Sequence, residues 1–206
     1  MTGGRDGPVE TLDGVLDLAW TALIDGAAGR LSAMRRPVLA TVDRTGRPRA
    51  RTVILRAADR GAWRLRFHTD LRSSKASEMR DNNWISLVFY EPTLDLQVRV
   101  EGPAALHAGD AAARAAWDDA APSSRRIHLA EPGPGADIAA PGSGLPAGLD
   151  TRVPTGAEAE PGYRHFAAVV VAVDLLDVYQ LHPAGHRRST HRHSGDGGVA
   201  ARWRVP

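Results

Sequence analysis

Residues 63–83 read WRLRFHTDLRSSKASEMRDNN, a strand pattern followed directly by a helix pattern. In the first half, apolar and polar residues alternate, which is typical of a half-buried β-strand. Ser73 or Ser74 then provides the N-cap of a short helix that ends near Arg80. A helix inserted between consecutive strands is unusual in a simple β-meander, so this stretch indicates a more specialised β architecture.

Strand patterns lie on both sides of this stretch. Each run is short and is bounded by turn-forming Asp, Asn, Gly or Pro. Several short strands joined by short turns favour a barrel or a sandwich, so we expect a mainly β fold with peripheral helices. The predicted strands outside the quoted stretch cover residues 38–42, 50–55, 84–90, 94–101 with a continuation at 104–107, 166–176 with an extension at 178–182, 187–193 and 201–205.

The remaining segments are predicted to be helical or irregular. Apolar residues at three- and four-residue steps predict an amphipathic helix over 11–25, and residues 110–119 form an Ala-rich helix. Residues 131–162 are dense in Pro and Gly, which predicts a long irregular loop. We expect a single domain over residues 1–206, with an N-terminal helix at 10–35, a barrel core at 36–108, a helix and loop at 109–162, and C-terminal strands at 163–206.

Composition argues against several functional classes. The 26 Lys and Arg nearly balance the 24 Asp and Glu, so a general nucleic-acid or membrane binder is not predicted. The chain has no Cys, which removes disulfides and thiolate chemistry and suits a cytoplasmic protein. Residues 1–10 lack the apolar run of a signal peptide, and no apolar stretch reaches bilayer length.

A candidate anion site lies where the quoted strand meets its helix. A phosphate group needs several charge-assisted donors, and a helix start offers free N–H groups and the positive end of the helix dipole. The donors available at this point are Thr69, Ser73, Ser74 and Lys75, and Arg51 on a neighbouring predicted strand is placed to complete the pocket.

The same residues also allow a purely structural interpretation. An Arg on a strand is usually a solvated outer-face residue, and a pair of serines before a helix is usually only a cap. Arg51 and Arg56 are an odd number of positions apart, so we expect them on opposite strand faces unless a bulge intervenes. From the residues alone, both interpretations remain open.

Three linked segments carry a resemblance to a known family. They are LATVDRTGRPRARTVILR at 39–56, FHTDLRSSKASEMRDNN at 67–83 and ISLVFYEPTLDLQVRVEG at 85–102. In this order and at these separations they resemble the FMN-binding barrel of the pyridoxamine 5′-phosphate oxidases. Residues 176–206 resemble the closing segment of that family. The resemblance implies a Greek-key-like, antiparallel split β-barrel, closer to the uncharacterised FMN-binding relatives than to the oxidase itself.

The resemblance also implies roles for matching positions. Arg51 matches an Arg that helps to hold FMN, Lys75 retains a phosphate-binding cation, and Ser74 replaces a charged residue of the family. The complete set implied to contact FMN is Arg51, Thr52, Val53, Ile54, His68, Thr69, Ser73, Ser74, Lys75, Gln97, Tyr179 and Arg188. A homodimer with FMN between the subunits is implied as well, and it suits an edge-rich barrel.

The substrate side of the family pattern is altered. The Lys that binds substrate phosphate in the family corresponds to Arg56, which has a different reach. The family's Tyr, Arg and Ser on the helix after the barrel correspond to the Ala-rich residues 112–119, which contain no Tyr and in which Asp118 and Asp119 would repel a phosphate. The catalytic residues are therefore unknown, and Arg56, Arg187 and Arg188 are the substrate-side candidates.

These observations predict an FMN-dependent oxidoreductase that acts on an unidentified small molecule. The flavin carries the hydride chemistry, which explains why the sequence shows no paired carboxylates and no Ser/His/Asp signature. The alternative is a non-catalytic protein that binds flavin or haem.

The histidines and aromatic residues have simpler interpretations. His182, His186, His191 and His193 lie among arginines, which disfavour a bound cation, so no metal site is predicted. The large aromatic residues are expected in the core rather than as base-stacking platforms, which argues against nucleic-acid binding. The residues assigned to packing are Trp20, Trp63, Trp84, Phe89 and Trp117.

Overall fold

The computed structural model describes residues 7–29, 31–195 and 197–206. Residues 1–6, part of the segment in which no signal peptide is predicted, lie outside the described residues. The described residues form ten strands and five α-helices. The strands are β1 (Val38–Val42), β2 (Pro48–Thr52), β3 (Leu55–Asp59), β4 (Arg64–Asp70), β5 (Trp84–Glu91), β6 (Leu96–His107), β7 (Phe166–Ala172), β8 (Leu175–Gln180), β9 (Arg187–Ser194) and β10 (Gly198–Arg204). The helices are α1 (Leu12–Ala28), α2 (Ser74–Asp81), α3 (Ala111–Asp119), α4 (Pro122–Arg125) and α5 (Gly156–Ala159).

Strand β6 joins two sheets into an open, split barrel. Its N-terminal part pairs with β5 and β8, whereas Ala104–His107 pair with β7. The larger sheet runs β10–β9–β8–β6–β5–β1–β2, and the smaller sheet contains β3, β4, β7 and the end of β6. All of these pairs are antiparallel, which confirms the predicted mainly β fold with peripheral helices.

The change of sheet along β6 depends on Gly102. A Cβ atom added to Gly102 would lie 1.9 Å from the carbonyl oxygen of Ala172. The neighbouring Glu101 carbonyl accepts a hydrogen bond of 2.9 Å from the Asp174 N–H, which ties β6 to the connection between β7 and β8. Only glycine permits this approach, so β6 runs through Gly102–Pro103 without the interruption that the sequence suggested.

We expect Gly102→Ala to lower the free energy of unfolding by about 3 kcal/mol, because backbone rather than a flexible side chain must move to admit the methyl group. Denaturant unfolding of the purified protein measures this change. The control is Gly156→Ala, since no atom lies within 4 Å of its added Cβ. Equal stability of both variants would contradict the close approach.

The main core lies between the barrel sheets and α1. This helix begins after Thr11, whose side chain accepts a hydrogen bond from the Gly14 N–H, and it buries Trp20 completely. A second, smaller cluster packs Trp117 of α3 against Phe166 of β7. The core positions predicted for Trp20, Trp63, Phe89 and Trp117 are confirmed.

Two predicted strands are each divided where the chain changes its pairing partner. The segment 50–55 forms β2 and β3: the Val53 N–H donates to the Pro37 carbonyl at 3.0 Å in the register of the β1–β2 ladder, Pro37 has no N–H to return the bond, and from Leu55 the chain pairs with β4. The segment 166–176 follows β4 as far as Val173, whose N–H donates to the Trp63 carbonyl at 2.8 Å, and from Leu175 it pairs with β9 instead. The segment 131–162 is irregular except for α5 and the start of a 3₁₀ helix at Glu160–His165.

The core position predicted for Trp84 was wrong. Trp84 is 52% exposed, because it lies on the outward face of β5 together with Tyr90. The buried residues of this strand, Ile85, Leu87 and Phe89, point to the opposite face. Val38 and Val42 of β1 are exposed on the same outward face. We call Val38, Val42, Trp84 and Tyr90 the outer patch. No helix among the described residues is both long enough and apolar enough to cross a membrane.

Candidate functional site

The turn between β4 and α2 is braced by its own hydroxyl groups. Ser73 occupies the N-cap position of α2, but its hydroxyl donates to the Asp70 carbonyl at 2.6 Å and makes no capping hydrogen bond. The Thr69 hydroxyl lies 3.1 Å from the Ser73 oxygen, and both side chains are buried. The predicted side-chain cap was therefore wrong, since these two hydroxyls stabilise the turn instead.

The first turn of α2 leaves backbone N–H groups available to a ligand. The N–H groups of Ala76 and Ser77 bond to the Ser73 carbonyl. Within residues 7–29, 31–195 and 197–206, the N–H groups of Ser74 and Lys75 have no acceptor. Free amides at a helix start, together with the helix dipole, attract anions.

Arg51 approaches α2 from the edge strand β2. It is opposite Leu39 in the ladder between β1 and β2. Its Nη2 donates to Glu78 Oε2 at 2.7 Å, and its Nη1 donates to Thr41 Oγ1. Glu78 lies three residues after Lys75 on α2, so the two side chains share a face of the helix. The fold therefore brings the Arg51 guanidinium to the Lys75 side of α2.

Lys75 is the least satisfied charge in this region. Burial and the positive charge of Arg51 lower the pKa of its ammonium group, and Asp70 and Glu78 offset this only in part. Within the described part of the chain, the ammonium group has no hydrogen-bond or ion-pair partner. Two cations and two free amides form a donor set that fits a phosphate dianion.

A second group of predicted site residues forms a row across the outward face of the larger sheet. Gln97 of β6 is opposite Tyr179 of β8, and Tyr179 is opposite Arg188 of β9. Arg188 donates two hydrogen bonds to Asp177, at 3.0 and 2.8 Å. Arg187 instead pairs with Glu10 at 2.8 Å. Of the two candidate arginines, Arg188 is therefore the one in the row.

The two groups lie on opposite faces of the same sheet. Arg51 belongs to a register row in which Leu39, Leu87, Val100 and Leu176 are buried in the core. Gln97 has the opposite parity in β6, and its side chain is exposed. The sheet itself therefore lies between the two groups.

Thr52, Val53 and Ile54 lie at the end of β2 and in the break before β3. The Thr52 side chain is exposed on the outward face, whereas the Val53 side chain is in the core. The Val53 N–H is already bonded to Pro37. The expectation of a continuous strand here was wrong, and Val53 has its carbonyl rather than its side chain or N–H to offer a ligand.

His68 and Thr69 point to opposite faces of β4. Thr69 faces the start of α2, whereas the His68 ring packs edge-on against Phe166 with ring centroids 4.8 Å apart. Burial, followed by the charges of Arg56 and Arg66, lowers the pKa of His68 from 6.5 to about 3. His68 therefore stays neutral at physiological pH.

The low pKa of His68 predicts a loss of stability in acid. As pH falls from 6.5 toward 3, the unfolded chain takes up a proton at this position that the folded chain does not, so the unfolding free energy decreases. We expect His68→Gln to lose less stability than the wild type between about pH 7.5 and about pH 5, as measured by urea midpoints. His186→Gln, on an exposed side chain, is the control. An equal acid loss in wild type and His68→Gln would exclude this role.

The substrate-side candidate Arg56 faces the helices that follow the barrel. Its Nη2 donates to Ser124 Oγ of α4 at 3.2 Å. Sequence reasoning missed Ser124, because the expected region was the Ala-rich helix α3 and α4 follows it. It also missed Thr41 and Glu78, although the three-residue spacing of Glu78 from Lys75 was a usable signal.

A known family model matches the N-terminal half of the barrel region of this chain. Residues 17–108 match the family model described as "Pyridoxamine 5'-phosphate oxidase, FMN-binding domain". This region is similar to the FMN-binding domain of the pyridoxamine 5′-phosphate oxidase-like proteins. All three segments that carried the resemblance lie within this oxidase-like region, so the recognition from sequence is confirmed.

Curated relatives match about a third of the chain. The Bos taurus pyridoxine-5′-phosphate oxidase is 46% identical over 65 residues, which are 32% of this chain and 24% of that protein. The pyridoxine/pyridoxamine 5′-phosphate oxidase of Acinetobacter baumannii (strain AYE) is 42% identical over 64 residues, 31% of this chain and 28% of that protein. The match therefore spans about a quarter of each relative's length.

Solved structures extend the shared fold to nearly the whole chain. A pyridoxamine 5′-phosphate oxidase-related, FMN binding protein from Nostoc punctiforme PCC 73102 has a TM-score of 0.72 at 22% identity, covering 97% of this chain and 100% of that one. PhzG from Burkholderia lata 383, solved in complex with tetrahydrophenazine-1-carboxylic acid, has a TM-score of 0.69 at 18% identity, covering 98% and 95%. At these identities the likeness establishes the split-barrel fold.

Proposed function

We propose that this chain binds FMN between two copies of itself and acts as an oxidoreductase on a small molecule other than pyridoxamine phosphate. The observation that carries the proposal is the meeting of Arg51 with the start of α2, where Lys75 lacks a partner and two amides are free. This donor set suits the phosphate of FMN, the cofactor that characterises the matching family model.

The row of Gln97, Tyr179 and Arg188 supplies the other half of the proposed site. Because this row lies on the opposite face of the sheet, it reaches the flavin of a second copy. The exposed outer patch supports the same arrangement, since contiguous exposed apolar residues commonly mark interaction surfaces. We therefore propose a homodimer with two equivalent FMN sites at its interface.

When bound, FMN supplies hydride transfer chemistry. Arg51, Lys75 and the α2 amides would bind its phosphate, and the backbone near Ile54 would contact the flavin. Gln97 and Tyr179 of the second copy would contact it from the other side. Contact between outer patches excludes water from the interface.

The proposed change of substrate rests on the surroundings of Arg56. Its guanidinium contacts the Ser124 hydroxyl, and Asp119 at the end of α3 pairs with Arg66 at 3.0 Å. No Tyr occurs on α3, the position that the family resemblance assigns to phosphate recognition. These side chains present one cation beside an internal ion pair, which suits a substrate with less negative charge than a phosphate dianion.

The decisive experiment is to purify the protein, record its visible spectrum and identify any released chromophore by mass spectrometry. We expect flavin absorbance and FMN as the chromophore, or uptake of added FMN if the cofactor is lost. No chromophore and no FMN uptake would overturn the proposal. Anaerobic addition of candidate small molecules then tests activity, because a substrate bleaches the flavin absorbance, whereas a non-catalytic binder keeps it.

A further inference from the structure

We propose that Glu78, together with Thr41, is a positioning residue that holds the Arg51 guanidinium in place for the ligand phosphate. The inference rests on the proposed FMN function and adds residues that neither the sequence resemblance nor the family comparison assigns. It starts from a buried carboxylate that has no other evident task in the fold.

Glu78 is the centre of a small, closed hydrogen-bond network. Its Oε2 accepts from Arg51 Nη2 at 2.7 Å and from Thr41 Oγ1 at 2.5 Å, and Thr41 Oγ1 itself accepts from Arg51 Nη1. The guanidinium is therefore held at two of its nitrogens by groups from α2 and β1. Because a guanidinium has five N–H donors, others remain for a ligand.

The network is buried while Arg51 still reaches solvent. The side chains of Glu78 and Arg51 are 7% and 21% exposed, and Thr41 is 3% exposed. Burial alone would raise the pKa of the Glu78 carboxyl, but the hydrogen bonds from Thr41 and Arg51 and the charge of Arg51 hold it below its ordinary value. Glu78 is therefore ionised at neutral pH and orients Arg51 as a fixed charge.

Charge balance supports a role in phosphate binding. Arg49 lies 4.0 Å from Glu78 and is half exposed, so the cluster contains Arg49, Arg51 and Lys75 against one carboxylate. Three positive charges and one negative charge leave a net charge of +2 for these four residues. A phosphate monoester carries about −1.5 to −2 at neutral pH. Glu78 thus orients one cation without cancelling the attraction of the cluster.

The test compares FMN with riboflavin, which lacks the phosphate. The dissociation constants of both flavins are measured with the whole 206-residue chain after flavin removal. The riboflavin dissociation constant divided by the FMN dissociation constant is the selectivity ratio, which isolates recognition of the phosphate. We expect Glu78→Ala to reduce this ratio by about tenfold or more while riboflavin affinity changes by about twofold or less. We expect Glu78→Gln to keep most of the ratio, because the amide oxygen still accepts from Arg51 and Thr41.

Thr41→Val provides a second test if Glu78→Ala does not fold, since it removes one hydroxyl at nearly constant volume. We expect it to reduce the ratio by about threefold. Asp81→Ala, an exposed carboxylate on the same helix, is the matched control and should leave the ratio unchanged. An unchanged ratio in Thr41→Val and Glu78→Ala, or equal weakening of both flavins, would overturn the inference. Failure of the wild type to bind either flavin would instead overturn the proposed function itself.

Discussion

The double variant Arg51→Ala/Lys75→Ala is expected to lose FMN. Each side chain contributes a charge-assisted hydrogen bond to the phosphate, worth about 1.5–3 kcal/mol, so together they weaken binding by about a thousandfold. Fluorescence titration of the flavin-free variant measures the dissociation constant. This is the largest loss of FMN affinity that we expect from substitutions in one of the two groups.

A structural side effect of the Arg51 change must be separated from loss of the phosphate contact. Arg51→Ala leaves the buried Glu78 carboxylate without its main cation, which destabilises the fold by itself. Lys75→Ala alone avoids this problem, because Lys75 has no ion-pair partner in the described part of the chain. We expect this single variant to remain folded and to weaken FMN binding by about tenfold to a hundredfold.

Arg44→Ala/Arg47→Ala is the matched control for net charge. It removes two exposed cations from the turn between β1 and β2 and should leave FMN affinity nearly unchanged. If the control and the Arg51/Lys75 variant lose the same affinity, general electrostatic attraction explains the effect. If neither loses affinity, the phosphate site is assigned to the wrong residues.

Two binding-defective variants are expected to recover FMN binding when they share a dimer. The first is Arg51→Ala/Lys75→Ala, and the second is Gln97→Ala/Arg188→Ala. In the proposed dimer each site takes one group from each copy, so each homodimer has two broken sites. A mixed dimer has one intact site and one site broken on both sides.

Co-expression in equal amounts therefore restores FMN to about a quarter of all sites, since about half of randomly paired dimers are mixed. The measurement is bound FMN per chain after purification through two different affinity tags, which enriches the mixed dimer to about one FMN per two chains. The parent variants, purified separately, are the controls. Mixed dimers that form but hold no FMN would show that the two groups do not share a ligand.

Much of the fold could be predicted because local pattern and tertiary structure agree. β1 was predicted with its observed ends, and Thr11 caps α1 immediately before the first helical residue. The errors arose where a strand changes its pairing partner. After Val53 the chain leaves β1 and pairs with β4, and after Val173 it leaves β4 and pairs with β9; no local periodicity reports such changes, because the partners are far apart in the sequence.

The candidate site was predictable in its residue types but not in its geometry. Arg51 and Lys75 could be selected because phosphate requires cations near a helix start. Alternation in β5 gave Trp84 a strand position, but did not reveal that its face is outward. The hydroxyl of Ser73 also bonds to Asp70 rather than capping α2, because the turn geometry brings that carbonyl closer.

The amino-acid order alone determined most strand and helix positions and which positions carry charge, because these depend mainly on neighbours a few residues apart. Tertiary structure decided that Glu78 and Thr41 hold Arg51, and that Gln97 and Arg188 lie across the sheet from it. Those relations depend on strand register and helix packing, which join residues far apart in the chain. A local pattern records which side chains share a face, but the folded sheet decides what each face meets.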